Sequence, residues 1–353
     1  MTAALPVSLP LIQAPMAGVS TPELAAAVSD AGALGSIAIG AATPDAARSM
    51  IERTRTLTDR PFNVNVFCHR TPSVDAEREA RWLSGLAPLF ARFDAEPPER
   101  LETIYTSFND DPAMQALLCE QRPAVVSFHF GLPPQPVIDA LKGCGITLLA
   151  TATTLAEGRA IEAAGVDVIV AQGSEAGGHR GVFEPERGDA LLGVLPLVRM
   201  LVQNTSIPVI AAGGVMDGAG IDAVLAAGGG GVQLGTAFIA CPESAASDTH
   251  RVWLAGAHSL ETVVTSVISG RPARALVNGH TREIAPIEVP DYPRAYLVGK
   301  ALAAAASKAG EEAFEVCWAG QGAALSRALP AGELVLQLCA ESRNLQGQLK
   351  IVE

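Results

Sequence analysis

One stretch of this chain, Gln172-Gly173-Ser174-Glu175-Ala176-Gly177-Gly178-His179-Arg180-Gly181, places an imidazole among four glycines directly after the apolar run 166–171 (VDVIVA). Glycine lets a backbone turn sharply and come close to a ligand. An imidazole titrates near neutrality, which suits acid/base chemistry or hydrogen bonding to a reacting anion. A buried strand that ends in such a loop is how a parallel α/β protein builds a site at the carboxyl ends of its strands. A second constellation is Tyr292, Tyr296 and Lys300, spaced four apart. On a helix that spacing places all three on one face. They could gate a ring system and pair a cation with a substrate carboxylate, or they could form a partly exposed helix face.

Other chain segments must position these groups. Strand-like runs fall at 11–16, 34–39, 62–67, 124–130, 146–151, 166–171, 207–212 and 231–238. Helical runs at 21–32, 43–57, 133–145, 154–165, 189–203 and 217–228 lie between them, several opened by Thr-Pro, Thr or Asp and closed by Ala-Gly. These are N-cap and C-cap signals. Eight strands that each lead toward a helix predict a (β/α)8 TIM barrel. A doubly wound open sheet is the runner-up, disfavoured by the count of eight and by the lack of GxGxxG after the first strand. The barrel is expected over 1–240, with extra helices in the charged stretch 70–122. A small second domain is expected at 241–290, where TVVTSVI and ARALVNG read as short strands. The segment 291–353 is expected to be helical and to pack back on the barrel, with 293–350 read as strongly helical.

The chain has 353 residues and a net charge of −12, which argues against nucleic-acid or anionic-membrane surfaces as partners. It is 49% hydrophobic but only 5% aromatic, which suits closely packed helices and a parallel sheet. The N-terminal stretch lacks the basic residues of a secretory signal. No run reaches the roughly 18 apolar residues of a membrane span. The six cysteines are dispersed, with no CxxC pair, and read as reduced thiols of a cytoplasmic protein without a metal site.

Placed on a barrel, the strand ends carry Met16, then Asn63 and Asn65, then His129, then Thr151, then the His179 loop, then Gly213-Gly214, and finally Gln233-Leu234-Gly235-Thr236. Glycine turns after three neighbouring strands suit one phosphate. Polar amides on nearby strands suit a ring with alternating donors and acceptors. FMN fits both requirements. Asn63 could instead be a core amide, and His129 a satisfied strand-end histidine.

Seven segments, QAPMAGVSTPELAAAVSDAGALGSI, PFNVNVFCH, VSFHFG, GSEAGGHRG, AAGGVMDGAGI, GVQLGTAF and WAGQGA, run in order from about residue 11 to 322 and closely resemble the class I nitronate monooxygenases. The GSEAGGHRG-type loop alone is shared with flavin-dependent enoyl-ACP reductases and quinone reductases, so an NAD(P)H-dependent flavin reductase is the alternative. The resemblance implies FMN on a TIM barrel with a small second domain. It also implies oxidation of small anionic alkyl nitronates, propionate 3-nitronate in particular, by O2 to a carbonyl compound and nitrite. No nicotinamide is needed. It matches His179 to the family's active-site histidine and His129 to a second pocket histidine. Tyr105, Tyr292, Tyr296 and Lys300 fall to the substrate side. Met16, Asn65, Gln172, Gly177, Gly178, Gly213, Gly214, Gln233, Leu234, Gly235 and Thr236 fall to the flavin. AGVS and AGALGS each replace a family glycine by a small apolar residue, which leaves the site intact. The 241–290 segment matches the family least clearly, so substrate size is the least constrained property.

Overall fold

The structure, a computed structural model, describes residues 5–286 and 288–345. The outermost parts of the expected barrel and C-terminal segments, 1–4 and 346–353, lie outside the described residues.

Nine strands run from the N-terminus to the end of the barrel: β1 (Leu11–Gln13), β2 (Gly35–Ala38), β3 (Phe62–Phe67), β4 (Val125–His129), β5 (Thr147–Ala152), β6 (Val168–Gln172), β7 (Gly178–His179), β8 (Val209–Ala212) and β9 (Gly231–Leu234). All but β7 belong to one parallel sheet, in the order β1-β9-β8-β6-β5-β4-β3-β2. A parallel bridge between Ile12 and Leu34 joins β1 to the start of β2 and brings the two ends of the sheet together. The fold is a (β/α)8 barrel. Ile12, Val125, Leu149, Val168 and Ile210 fill its interior. A larger apolar layer, including Leu11, Val64, Val126, Leu148, Ile169 and Val232, packs outward against the helices. Burying each such side chain favours the fold by about 1.5–3 kcal/mol.

The helices between the strands are α1 (Pro22–Asp30), α2 (Pro44–Leu57), α3 (Ala76–Ala91), α4 (Pro112–Gln121), α5 (Gln135–Gly143), α6 (Leu155–Ala163), α7 (Val194–Asn204), α8 (Gly218–Ala226) and α9 (Thr236–Ile239). Their starts follow the cap residues. The side chains of Thr21, Thr43 and Asp217 accept from the backbone N–H groups of Leu24, Ala46 and Gly220. Thr154 and Glu157 form a capping box. The extra helices expected within 70–122 are α3 and α4.

Three sequence expectations need correction. The strand expected over 231–238 ends at Leu234, and the chain turns at Gly235 into the short helix α9 (Thr236–Ile239). The helix expected from 189 begins only at Val194. Asp189 is held by Arg180, Leu191 takes φ +47°, and both Glu175 carboxylate oxygens accept from the Val194 N–H at 3.0 Å. The chain can enter the helix only after that capping contact. The segment 293–350 is not continuously helical either. Helices α12 (Arg294–Lys308) and α13 (Ala331–Glu341) are separated by an irregular stretch that carries Trp318 and Gly320.

Between the barrel and α12 lie α10 (Asp248–Ala255), β10 (Thr262–Thr265), β11 (Ala273–Leu276) and α11 (Gly279–Glu283). The two β-like runs seen in the sequence are β10 and β11. They form a three-stranded antiparallel sheet whose third member, on the far side of β11, is β7 from the His179 loop. A further core joins Trp82, Leu86 and Phe90 of α3 to Ile268, Ala275, Val298 and Leu302. Across that core Arg294 forms a buried bidentate pair with Glu79, at 2.6 and 2.8 Å.

Candidate active site

The motif read as a glycine loop contains the short strand β7. His179 pairs with Ala273, and Gly178 with Arg274. His179 is therefore fixed from two sides, by the barrel strand that precedes it and by the small sheet. Its Nε2 lies 2.8 Å from Ser269 Oγ. Its backbone oxygen accepts from Gln172 Nε2 at 3.0 Å and from His129 Nε2 at 3.1 Å. A carbonyl oxygen only accepts, so His129 carries its proton on Nε2. Its Nδ1, 3.0 Å from Thr151 Oγ1, then accepts from that hydroxyl. Both nitrogens of His129 are used in holding the loop.

Arg180, fully buried, locks the other side of the loop. It pairs with Asp189 at 2.6 Å and donates to Gly173 O at 2.6 Å and Gln172 Oε1 at 3.1 Å. Gln172 Oε1 also accepts from Gly181 N at 2.8 Å. The Gln172 amide is thus spent on loop geometry.

An aromatic wall surrounds the His179 ring. Centroid distances are 5.0 Å to Trp318, 5.4 Å to Tyr292, 5.7 Å to Phe130 and 5.9 Å to Tyr296. Burial is the main cause of a fall in the His179 pKa to about 3, helped by His129, Arg271 and His69. Burial likewise lowers His129 to about 4 and raises the Tyr292 phenol well above its ordinary value. Near neutral pH the imidazoles are uncharged and the phenols protonated. Lys300 supplies a cation at the rim, with Nζ 4.9 Å from the ring centres of both Tyr105 and Tyr296, and it donates to the Tyr105 hydroxyl. Tyr296 and Lys300 sit on α12. Tyr292 lies two residues before the helix and reaches the same cavity from its entry turn.

The opposite wall is mostly backbone. Gly213 and Gly214, after β8, have φ of +120° and +71°. A Cβ on Gly213 would stand 2.9 Å from Ala176 N, and one on Gly177 would stand 2.5 Å from Ala319 C and Gly320 N. The stretch after Trp318 is sewn to this wall, with Gly320 N donating to Thr236 Oγ1 and Gln321 N to Glu175 O, both at 2.9 Å. The Gln233 side chain makes no hydrogen bond to the described residues, and Asn65 uses only its Nδ2, toward Ser127.

These groups line a cavity of about 460 Å³ at the C-terminal ends of the strands. It brings together Met16, Asn65, Tyr105, His129, Gln172, Gly177, Gly178, His179, Gly213, Gly214, Gln233, Leu234, Gly235, Thr236, Tyr292, Tyr296 and Lys300. Asn63 is outside it, fully buried and donating to Ser36 Oγ at 3.1 Å, which makes it a core amide. Sequence reasoning passed over Trp318, Phe130 and Ser269. Trp318 was visible inside WAGQGA, but only its bridge to Ala275 brings it to His179. Ser269 lies in the small sheet's turn and carried no signal of its own.

A parallel barrel with a boxed histidine and a glycine-walled cavity at the strand ends has the architecture of a barrel enzyme. A family model described as nitronate monooxygenase matches residues 1–341. Nitronate monooxygenases of Paraburkholderia phytofirmans and Pseudomonas aeruginosa are 55% and 54% identical to it, covering 98% and 97% of this chain and 95% and 98% of their own. The chain belongs to the nitronate monooxygenase family, a family of oxidoreductases. Among solved structures, a nitroalkane oxidase from Streptomyces ansochromogenes superposes with TM-score 0.88 at 42% identity over 99% of both chains. FabK from Thermotoga maritima superposes with TM-score 0.74 at 28% identity, covering 100% of this chain and 98% of its own. No helix among the described residues is long and apolar enough to cross a membrane.

Proposed function

We propose that the chain binds FMN and oxidises small alkyl nitronates, propionate 3-nitronate among them, with O2 to a carbonyl compound and nitrite. The observation that carries this reading is one cavity that joins a side-chain-free glycine wall to an uncharged histidine boxed by Tyr292, Tyr296 and Trp318, with Lys300 at the rim.

The wall suits a flavin mononucleotide. Gly177 and Gly213 leave a surface that a Cβ would break. The Gln233 amide and Asn65 Oδ1 are free to meet ring donors and acceptors. The turns at Gly213-Gly214 and Gly235-Thr236 offer backbone N–H groups to one phosphate. When bound, the flavin would supply the electron acceptor and the means of reaction with O2. The protein's part is to bind, orient and exclude water. Ser269 Oγ–H donates to His179 Nε2, leaving Nδ1–H to donate to a nitronate oxygen. A histidine with its pKa near 3 is a weak base, so the site favours a substrate that arrives already deprotonated. The Tyr292 and Tyr296 phenols, held protonated by burial, are further donors. Lys300 pairs with a distal carboxylate. We also read residues 241–290 as the substrate side of the barrel, since they supply Ser269. The six free thiols support a reducing, cytoplasmic setting.

The test is direct. Heat-released cofactor should chromatograph as FMN, and propionate 3-nitronate should drive oxygen uptake with nitrite release and no nicotinamide. Recovery of FAD overturns the cofactor assignment. NADH-driven flavin bleaching with no nitronate turnover overturns the reaction in favour of a reductase.

A further inference from the structure

Four arginines are buried to less than a tenth of their surface: Arg180, Arg271, Arg274 and Arg294. Arg180 is neutralised by Asp189 and Arg294 by Glu79. Arg274 donates to Ser174 O and to Thr262. Arg271 stands apart. Like Arg274, it has no carboxylate within ion-pair distance among the described residues, but it lacks the several acceptors that Arg274 has. Its side chain donates to a single acceptor, Val182 O, and its buried Nε has no partner. The flat face of the guanidinium lies 4.3 Å from the centre of the Phe130 ring.

Three of the other ring neighbours of Phe130 are active-site groups. Its centroid is 5.7 Å from His179, 5.4 Å from Tyr292 and 4.5 Å from His129. One aromatic ring therefore separates an uncompensated cation from the cavity. Arg271 is also tied to the histidine by its backbone, since its N–H donates at 3.4 Å to Ser269 Oγ, which lies 2.8 Å from His179 Nε2. Burial lowers the guanidinium pKa to about 10, which leaves it charged near neutral pH. Of the acids that feel it at longer range, Glu186 is paired with Arg70, and Glu157, held by Thr153 and the Phe183 N–H, lies beyond ion-pair distance. An unpaired buried charge is expensive for a fold unless an anion elsewhere compensates it.

We propose that Arg271 is the charge-selecting residue of this cavity. Its guanidinium, placed behind Phe130, favours an anionic occupant such as a nitronate or the released nitrite over a neutral nitroalkane of the same shape. Arg271 does not touch the substrate and acts through the field across one ring. At separations near 10 Å and an effective permittivity of about 20, one charge shifts binding of a monoanion roughly tenfold. This role differs from that of Lys300. Lys300 at the rim reads a second charge on the substrate, whereas Arg271 reads the reacting group that all nitronates share. The inference rests on the proposed nitronate reading for the identity of the anion.

The experiment is calorimetric titration of the holoenzyme with nitrite and with neutral nitroethane, with the steady-state KM in air serving for ethyl nitronate, which would reduce the flavin even without O2. Wild type should bind both anions more tightly than nitroethane. Arg271→Met should weaken both anions about tenfold and nitroethane less than about twofold, and Arg271→Lys should keep most of the preference. Equal losses on charged and neutral ligands, or a Lys variant as impaired as Met, would make Arg271 a packing residue and overturn the proposal. If Arg271→Met does not fold, wild type and Arg271→Lys still decide, since wild-type affinity for nitroethane equal to that for nitrite also overturns it. Anion preference without nitronate turnover in air would support charge selection while removing the functional reading, so the two can fail separately.

Discussion

On the β6, β8 and β9 side of the cavity the wall is backbone, formed by Gly177, Gly213, Gly214 and Gly235 with Thr236 and Gly320 sewn behind them. On the α12 side it is all side chain, formed by Tyr105, Tyr292, Tyr296, Trp318 and Lys300. A backbone wall has no rotamers to adjust and no spare volume for an added atom. A side-chain wall can lose or exchange a group and keep its shape. The first suits a ligand that is always the same, the second a ligand that varies in length and charge. Cofactor binding should therefore be brittle and substrate choice adjustable.

The harshest test of that contrast is Gly177→Val, whose Cβ would fall on the Ala319–Gly320 backbone at 2.5 Å. The purified variant should carry less than about a tenth of the wild-type flavin in its visible spectrum, since contacts this short force backbone movement. Full flavin content would remove the distinction between the walls. Next in size is His179→Asn, which should keep its flavin and lose roughly 10²-fold in turnover. If oxidation of neutral nitroalkane falls and that of nitronate survives, the imidazole is a base. Unchanged rates on both would exclude His179 from the chemistry. Lys300→Met should lower kcat/KM for propionate 3-nitronate by about 10- to 100-fold while leaving ethyl nitronate within about twofold. An equal loss on both would assign Lys300 to the shape of the wall.

The mildest effect concerns pH. His179 and His129 titrate near 3 and 4 in the folded protein, so neither changes charge between about pH 5 and 8, and kcat/KM on nitronates should be level there. Stability behaves differently. His69, His129, His179, His250 and His280 all have folded pKa values lowered by burial to between about 3 and 4, from an ordinary 6.5. The unfolded chain then binds more protons below pH 6.5. Stability is full above that value and declines as pH falls toward 4. A melting temperature that stays level from pH 7 to 4.5 would contradict the burial of these imidazoles.

The barrel was readable because each of its strands is a short apolar run bounded by caps and glycines, and the periodicity survives even where a helix starts late, as at Val194. The glycine wall was readable for the same reason, since glycines after strands mark places where side chains are excluded. The His179 surroundings were only half readable. Tyr296 and Lys300 announced themselves by helical spacing, whereas Tyr292 precedes α12 and reaches the cavity from its entry turn, off the helix face that the spacing predicts. Ser269 and Trp318 gave no such signal, because antiparallel pairing across long separations brings them to His179, and Phe130 gave none, because it follows parallel strand β4 and nothing local marks its ring as a neighbour of the histidine. Asn63 and Asn65 lie two apart and so on the same face of β3, and the strand pattern alone does not separate them: Asn65, nearer the strand end, reaches the cavity beside Ser127 of β4, while Asn63 is held one layer deeper by Ser36 of β2.

The pairing of β7 with β11 joins residues 178–179 to 273–274, and the chain between them includes β8, β9 and the small sheet's first strand. That contact can close only after the intervening chain has largely taken shape, because distant ends meet at an entropic cost that nearby contacts must first offset. The histidine's setting is therefore expected to be among the last features to form. On dilution from denaturant, in a variant whose other two tryptophans, Trp82 and Trp253, are replaced by Phe, the far-ultraviolet signal of the barrel should return ahead of the fluorescence of Trp318. Competence to bind anions should follow the slower phase.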